Sequence, residues 1–324
     1  MLKRSHWQLA RWLVAACLAS ALPAHAFPDR PVTIVVPATP GGLTDMLARL
    51  IAPEFSQAWG QPVVVENRPG AGALLGTQYA MRSKADGHTL LMGSTDLQTL
   101  PLLNRSVAID TVAGLQPVGS LASMPLLMLG SSRVAEQSLQ KVVEAMKSSP
   151  GKFTYGSNGI ASILQLYAEM FSHEAGVKLL HVPYRGAVEA TQALAAGEVD
   201  ILVQPATANV LGQVTAGRVI PYAVMSRRRI AQLPDTPTVS ELGYPKLESE
   251  LWFGLFTPAN VPSPIVEQIN ASLRSALRKP DIQARLKALG LTARDESVAA
   301  FTRFYRDDHR QLEKVVRDAG IVPN

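Results

Sequence analysis

Five short loops hold the residues of this sequence best suited to chemistry, and that chemistry is hydrogen-bond donation to a ligand. The first is Pro37-Ala38-Thr39-Pro40-Gly41-Gly42-Leu43-Thr44-Asp45. Gly41 and Gly42 allow positive φ and close backbone approach, so successive amides there could form an anion-binding nest at the start of a helix. An ordinary strand-to-helix turn explains the same residues. Asp45 falls in the first helical turn, where an acid is favourable with or without a ligand. The second loop is Asn67-Arg68-Pro69-Gly70-Ala71-Gly72, with Gly76 beyond it. Its third glycine comes one residue late for a dinucleotide fingerprint, and no Gly-Lys-Ser/Thr follows for a phosphate loop. Arg68 could hold a ligand carboxylate or simply pair with Glu66. The third loop is Gly93-Ser94-Thr95-Asp96, the fourth Tyr155-Gly156-Ser157-Asn158-Gly159-Ile160-Ala161-Ser162, and the fifth His181-Val182-Pro183-Tyr184-Arg185-Gly186-Ala187.

These loops offer donors and no evident nucleophile. No Gly-x-Ser-x-Gly elbow exists, and His173-Glu174 lacks the second histidine of a zinc-protease helix. His88, His173, His181 and His309 are scattered, and each is expected to be a packing or surface residue. The single cysteine, Cys17, lies near the N-terminus, so the rest of the chain has no disulfide, thiol nucleophile or cysteine metal site. The chain has 31 basic and 26 acidic residues, a net charge of +5. That excess is too small to argue for nucleic acid. The run Arg227-Arg228-Arg229 reads as a solvated loop after a strand, with a binding patch as the alternative.

The elements that must position the loops alternate. Val32 to Val36 is an apolar, β-branched run typical of a buried strand. A helix is expected over Thr44–Trp59, with Met46, Leu47, Leu50, Ile51 and Phe55 on one side. Strands follow at Val63–Val65 and Thr89–Gly93, with a helix over Ala73–Ser83 between them. A second set gives strands at Leu126–Leu129, Phe153–Gly156, Leu180–Pro183, Ile201–Val203, Val219–Met225 and Leu251–Thr257. Helices are expected over Ser138–Ser148, Ala161–Ala175 and Glu189–Ala196. Another starts at Ser263-Pro264, with Ser263 as its cap, and two more cover about 281–289 and 297–319. Repeated βαβ units imply mostly parallel sheets flanked by helices, an α/β fold. At 324 residues the chain should form two lobes.

The N-terminus reads as an export signal. Lys3, Arg4 and Arg11 precede the apolar stretch Trp12 to Leu22, and Ala24-His25-Ala26 fits a small-x-small cleavage site. The stretch is too short to span a bilayer, which takes about 20 residues. Cleavage is expected after Ala26, which removes three basic residues and lowers the net charge to +2. Val14-Ala15-Ala16-Cys17 loosely resembles a lipoprotein box, but the apolar run before it is short for lipidation.

Taken together, the strings resemble one family over nearly all of the mature chain: the substrate-binding receptors of tripartite tricarboxylate transporters, also called Bug receptors. The matching segments are Phe27-Pro28-Asp29-Arg30-Pro31-Val32, Pro40-Gly41-Gly42 with Asp45, and Gly60-Gln61-Pro62-Val63-Val64-Val65-Glu66-Asn67-Arg68-Pro69-Gly70-Ala71-Gly72. Ala85-Asp86-Gly87, His181-Val182-Pro183-Tyr184-Arg185-Gly186, Leu233-Pro234-Asp235-Thr236-Pro237-Thr238-Val239 and Trp252-Phe253-Gly254-Leu255 extend the match.

The resemblance implies a type II periplasmic-binding-protein fold with a hinged cleft. Lobe one would comprise 27–125 and 250–324, lobe two 126–249, joined by two strands that cross near 124–129 and 251–257. It implies a periplasmic, monomeric receptor without cofactor, metal, enzymatic activity, nucleic-acid partner or membrane insertion. Such a receptor delivers a small carboxylate to a membrane permease. Carried over, the ligand-binding residues are Pro40, Gly41, Gly42, Asp45 and Ser94 from lobe one. Lobe two contributes Ser157, Asn158, Gly159, Ala161 and Ser162, with Tyr184, Arg185, Gly186 and Gln204. Many relatives have His at the position of Gln165 and Asp at that of Gln204. Without an acid at 204, the expected ligand has a carboxylate and an otherwise neutral or apolar body. The alternatives are a ligand-sensing partner of a signalling protein and an exported oxidoreductase.

Overall fold

Runs of apolar, β-branched residues form the strands, and amphipathic stretches between them form the helices. The computed structural model describes residues 27–103, 109–160 and 162–318; the expected export signal lies outside them. In chain order come β1 (Val32–Val36), α1 (Leu43–Trp59), β2 (Val63–Asn67), α2 (Leu74–Arg82), β3 (Thr89–Ser94), α3 (Asp96–Leu103), α4 (Thr111–Gly114) and β4 (Leu115–Ser131). Then follow α5 (Leu139–Ser148), β5 (Thr154–Ser157), α6 (Ile163–Ala175), β6 (Leu180–Pro183), α7 (Ala187–Ala196), β7 (Ile201–Pro205), α8 (Ala208–Thr215) and β8 (Val219–Val224). The chain continues through a 3₁₀ turn (Pro245–Leu247), β9 (Glu250–Pro258), α9 (Ser263–Leu277), α10 (Pro280–Ala288), β10 (Thr292–Ala293) and α11 (Val298–Asp318). No described helix is long and apolar enough to cross a membrane.

The strands lie in the order β2-β1-β3-β9-β4-β7-β5-β6, with β8 and β10 also paired to β4. The outer pairs β1–β2, β1–β3, β5–β6 and β5–β7 are parallel, as βαβ units require. Every pair that includes β4 or β9 is antiparallel, so each half of the sheet is mixed.

β4 is the long element that unites the two halves. Its first part, Leu115–Pro125, pairs with β9, and its last part, Leu126–Ser131, pairs with β7 and β8. Only Leu126–Leu129 is expected from the sequence. Pro117, Gly119 and Pro125 mask the rest, because proline and glycine normally break strands. Here register shifts between Pro117 and Gly119 and between Ser120 and Ala122 let the strand continue.

Both faces of the sheet are buried. Val32, Ile34 and Val36 enter one core with α1 and α9, while Val35 enters another with Trp252, Phe256, Phe301 and Tyr305. Leu126 and Met128 face a third core under α5 and α6, and Leu127 and Leu129 a fourth under α7 and α8. This is the two-residue alternation of a strand with an apolar layer on each side.

Three observations qualify the sequence expectations. The cap of α9 is Pro262, with no side-chain bond, so Ser263 is already helical and Pro264 sits one position deeper. α3, α4 and α8 have no counterpart in the sequence reading. The expected boundary at residue 250 would also place α11 wholly in one half. Instead its start packs Phe301 and Tyr305 into the core on Val35, and its far end packs Leu312, Val315 and Val316 into the core of α5 and α6.

Candidate functional site

A cleft of about 700 Å³ opens between the two halves of the sheet. Its walls are built at the C-terminal ends of parallel strands. Pro37 follows β1, Ser94 ends β3, Asn158 follows β5 and Pro205 ends β7. Ligands bind at this end of open α/β sheets because the connecting loops diverge there. The same architecture turns four helix N-termini toward the cleft, represented in its lining by Thr44 of α1, Ala73 before α2, Asp96 of α3 and Ser162 before α6. Each carries the positive end of a helix dipole. Leu100, Leu103, Ile163, Leu164, Leu251 and Phe253 supply apolar surface. No Lys, Arg or His is among the described residues that line the cleft.

The first loop is built differently from its expected role. The Gly42 amide donates to the Thr39 carbonyl (3.4 Å), closing a turn with Pro40 at its second position and Gly41, at φ 83°, at its third. Proline followed by a residue at positive φ is the signature of a type II turn. The Gly41 amide donates to the buried Asp45 carboxylate (2.9 Å), which also accepts from Arg49 Nε (3.0 Å) and Asn67 Nδ2 (2.9 Å). The Arg49 guanidinium, with the Gly41 and Asn67 bonds, holds the Asp45 carboxyl down at about 2, against the cost of burial. The protein's own carboxylate thus occupies the would-be nest. Pro40, Gly41, Gly42 and Asp45 do not line the cleft; they brace the loop that carries Pro37 and Thr44.

The second loop, left out of the expected ligand-binding set, does reach the cleft. Ala71, Gly72 and Ala73 line it, with φ of 47°, 62° and 78° in succession. Two alanines in the left-handed region cost roughly 1–2 kcal/mol each. Neither α1 nor α2 has a side-chain cap, but loop carbonyls already take the Leu74 and Leu75 amides of α2 (to Ala71, 3.2 Å, and Gly70, 3.5 Å), so it is the first turn of α1 that is left uncapped toward an anion. Gly76 is required by packing, since a Cβ there would lie 2.8 Å from the Arg68 carbonyl oxygen and from Pro37 Cα. Arg68 takes the structural option: it pairs with Glu66 (2.6 Å) and lies over the Tyr79 ring (3.5 Å).

On the opposite wall Asn158 and Ser162 line the cleft, and Ser162 caps α6 by accepting from the Gln165 amide (3.2 Å). Ser157 is fully buried behind them. Its hydroxyl donates to the Gly159 carbonyl (2.9 Å) and meets His181 Nε2 (2.7 Å), whose ring stacks on Tyr155. Burial lowers the His181 pKa. Gln204 is also fully buried and donates through Nε2 to Asn158 Oδ1 (2.7 Å), so it braces Asn158 from behind the cleft wall. Gly159, Tyr184, Arg185 and Gly186 stand outside the lining. The Tyr184 amide donates to the Ser157 carbonyl (3.0 Å), and the Arg185 amide to Glu189 Oε2 (2.9 Å). Ala161 lies outside the described residues.

One ionisable side chain, Asp96, is among the described residues that line the cleft. It is open to the cleft and accepts from Ser94 Oγ (3.0 Å). Enclosure by the walls pushes its carboxyl above the usual range, and the Ser94 bond pulls it back. The sequence placed Asp96 in the third loop but gave no reason to prefer it over Ser94.

Comparison with known proteins gives this cleft its setting. Residues 47–321 match the family described as "Tripartite tricarboxylate transporter family receptor". The solved structure of the periplasmic binding protein BugD is 31% identical, with a TM-score of 0.70 over 91% of this chain and 99% of its own. A Rhodopseudomonas palustris protein solved with adipate is 30% identical, with a TM-score of 0.74 over 92% of this chain and 100% of its own. MatC from the same organism, solved with bound malate, is 30% identical, with a TM-score of 0.70 over 90% and 100%. Proteins of this kind are periplasmic binding proteins of α/β architecture, and this chain belongs to the tripartite tricarboxylate transporter receptor family.

Proposed function

We propose that the chain is a periplasmic receptor that captures a small carboxylate between two lobes and delivers it to a tripartite tricarboxylate-type permease. One observation carries this reading: four helix N-termini meet at a cleft with no basic side chain in its described lining. Backbone dipoles can hold an anion without burying an opposing charge, whose desolvation would be costly. The relatives solved with adipate and malate support the same ligand class. The lobes are residues 27–125 with 250 onward, and 126–249, with the end of α11 fastened to the second. A ligand that touches both walls stabilises their approach, since the separated form offers only one wall at a time. The role is capture by a monomer, without cofactor or catalysis, after export and cleavage at Ala26.

A thermal-shift panel of mono-, di- and tricarboxylates, aromatic acids, amino acids and nicotinamide-like amides tests the reading. A cognate acid at about 100 times its dissociation constant should add about 2.7 kcal/mol of stability. Asn158→Ala should weaken that acid about tenfold through loss of a donor to a charged group. A panel in which only uncharged compounds raise the melting temperature would overturn the proposal.

A further inference from the structure

The cleft that faces four helix N-termini also contains a carboxylate of its own. Asp96 opens α3, is exposed to the cleft, and is the sole ionisable side chain among the described lining residues. Among the described residues that line the cleft, none is a cation that could neutralise it. Ser94 Oγ bonds one of its oxygens (3.0 Å) and fixes the carboxylate at the base of the wall. Thr99, one turn along α3, uses its hydroxyl on the Asp96 carbonyl (3.0 Å) and so does not compete for the side chain. Beyond Asp96 the same wall is apolar, with Leu100 and Leu103.

A fixed acid in a site for anions repels every ligand that presents only carboxylate or hydrocarbon to it. It favours a ligand that brings a hydrogen-bond donor to that end. We propose that Asp96 determines specificity, accepting a hydrogen bond from a hydroxyl or ammonium group that the ligand carries beside its carboxylate. This rests on the carboxylate reading above and narrows it from acids in general to donor-bearing acids. It also replaces the expectation of a neutral or apolar ligand body, which was drawn from position 204. Gln204 is sealed behind Asn158, whereas the acid that meets the ligand stands at 96. The family does not decide the matter, because its solved members hold both adipate, which lacks such a donor, and malate, which has one.

The test is calorimetric titration of the exported form at neutral pH with matched sets that differ in one group. The sets are propionate, lactate and alanine; succinate, malate and aspartate; glutarate, 2-hydroxyglutarate and glutamate; and benzoate with its ring-hydroxylated form. In whichever set binds, a donor-bearing member should bind at least about tenfold tighter than its parent, as expected for a hydrogen bond to a charged group. The hydroxyl and ammonium arms then identify the donor. Asp96→Asn, with an unchanged unliganded melting temperature, should bring the members of that set to within about threefold. The wild-type comparison needs no variant, so a misfolded Asp96→Asn does not rescue the idea. If the parent acid binds as tightly as its donor-bearing analogue, or binds through a protonated Asp96 more tightly at low pH, the role of Asp96 is overturned while carboxylate capture stands. If no member of any set binds while only uncharged compounds in the thermal-shift panel raise the melting temperature, carboxylate capture itself fails.

Discussion

Asp308 shows how a single half-buried carboxyl can set the pH dependence of the fold. It lies on α11 and accepts from Trp252 Nε1 (3.0 Å). Burial pushes its pKa up to about 6, with the Trp252 and Gln98 bonds opposing. A raised carboxyl means that the folded chain holds a proton the unfolded chain has lost between about pH 4 and pH 6, so stability falls as pH rises through that window. Asp308→Asn keeps an acceptor for Trp252 and removes the penalty. The variant should be more stable than the parent at neutral pH by up to roughly 3 kcal/mol, a gain that vanishes toward pH 4. Urea unfolding at the two pH values checks this; equal midpoints at neutral pH would refute it. The same scale explains what the sequence could and could not tell about the site. The place of Ser94, Asn158 and Ser162 at the cleft wall is legible, because polar residues beside glycine after a strand are placed by backbone geometry. The partner of Asp45 is not legible, since an acid in a first helical turn looks the same whether it faces a ligand or its own loop's amide. Asp96 lines the cleft and Gln204 is buried behind Asn158, a difference the sequence does not show, because which of two polar side chains faces a cavity is set by packing several elements away.

At the scale of elements, the entry to α2 is where strain and site coincide. Ala73 caps that helix at φ 78°, and Ala71 precedes it at φ 47°. Replacing Ala73 by Gly removes the Cβ that makes this conformation costly, and replacing it by Val adds a branched one. Ala73→Gly should leave the melting temperature unchanged or higher. Ala73→Val should lower stability by about 1–3 kcal/mol. If the valine variant melts with the parent, the left-handed turn is not a constraint. The sequence located most elements, since apolar runs such as Val32–Val36 and amphipathic ones such as Leu139–Ser148 have distinct periods. It missed α3, which contains Pro101, and the first part of β4, which contains Pro117. In both, tertiary burial outweighs a local breaker: Leu97 and Leu100 of α3, and Val118 and Leu121 of β4, are in the cores.

For the whole molecule, the question is what lets two halves with separate cores behave as one protein. β4 runs through both, and α11 is fastened to both. β4 contributes continuous main-chain pairing, which a bend can preserve. α11 contributes side-chain packing, with Phe301 and Tyr305 in one core and Leu312 in the other, about two turns along the helix. Any approach of the walls around the cleft must therefore pivot near the middle of α11 or drag its far end with the second half. Leu312 is the fully buried anchor of that far end, and its truncation to Ala should cost about 2–5 kcal/mol. The loss falls on the second core and leaves Phe301 and Tyr305 in place. The parent chain should unfold in one calorimetric transition, because each core is held by the helix the other anchors. Leu312→Ala should separate that transition, with the α5–α6 half melting first, whereas Phe301→Ala should destabilise the half that contains β1. Uniform, single-transition melting in both variants would show that α11 is not what couples the halves.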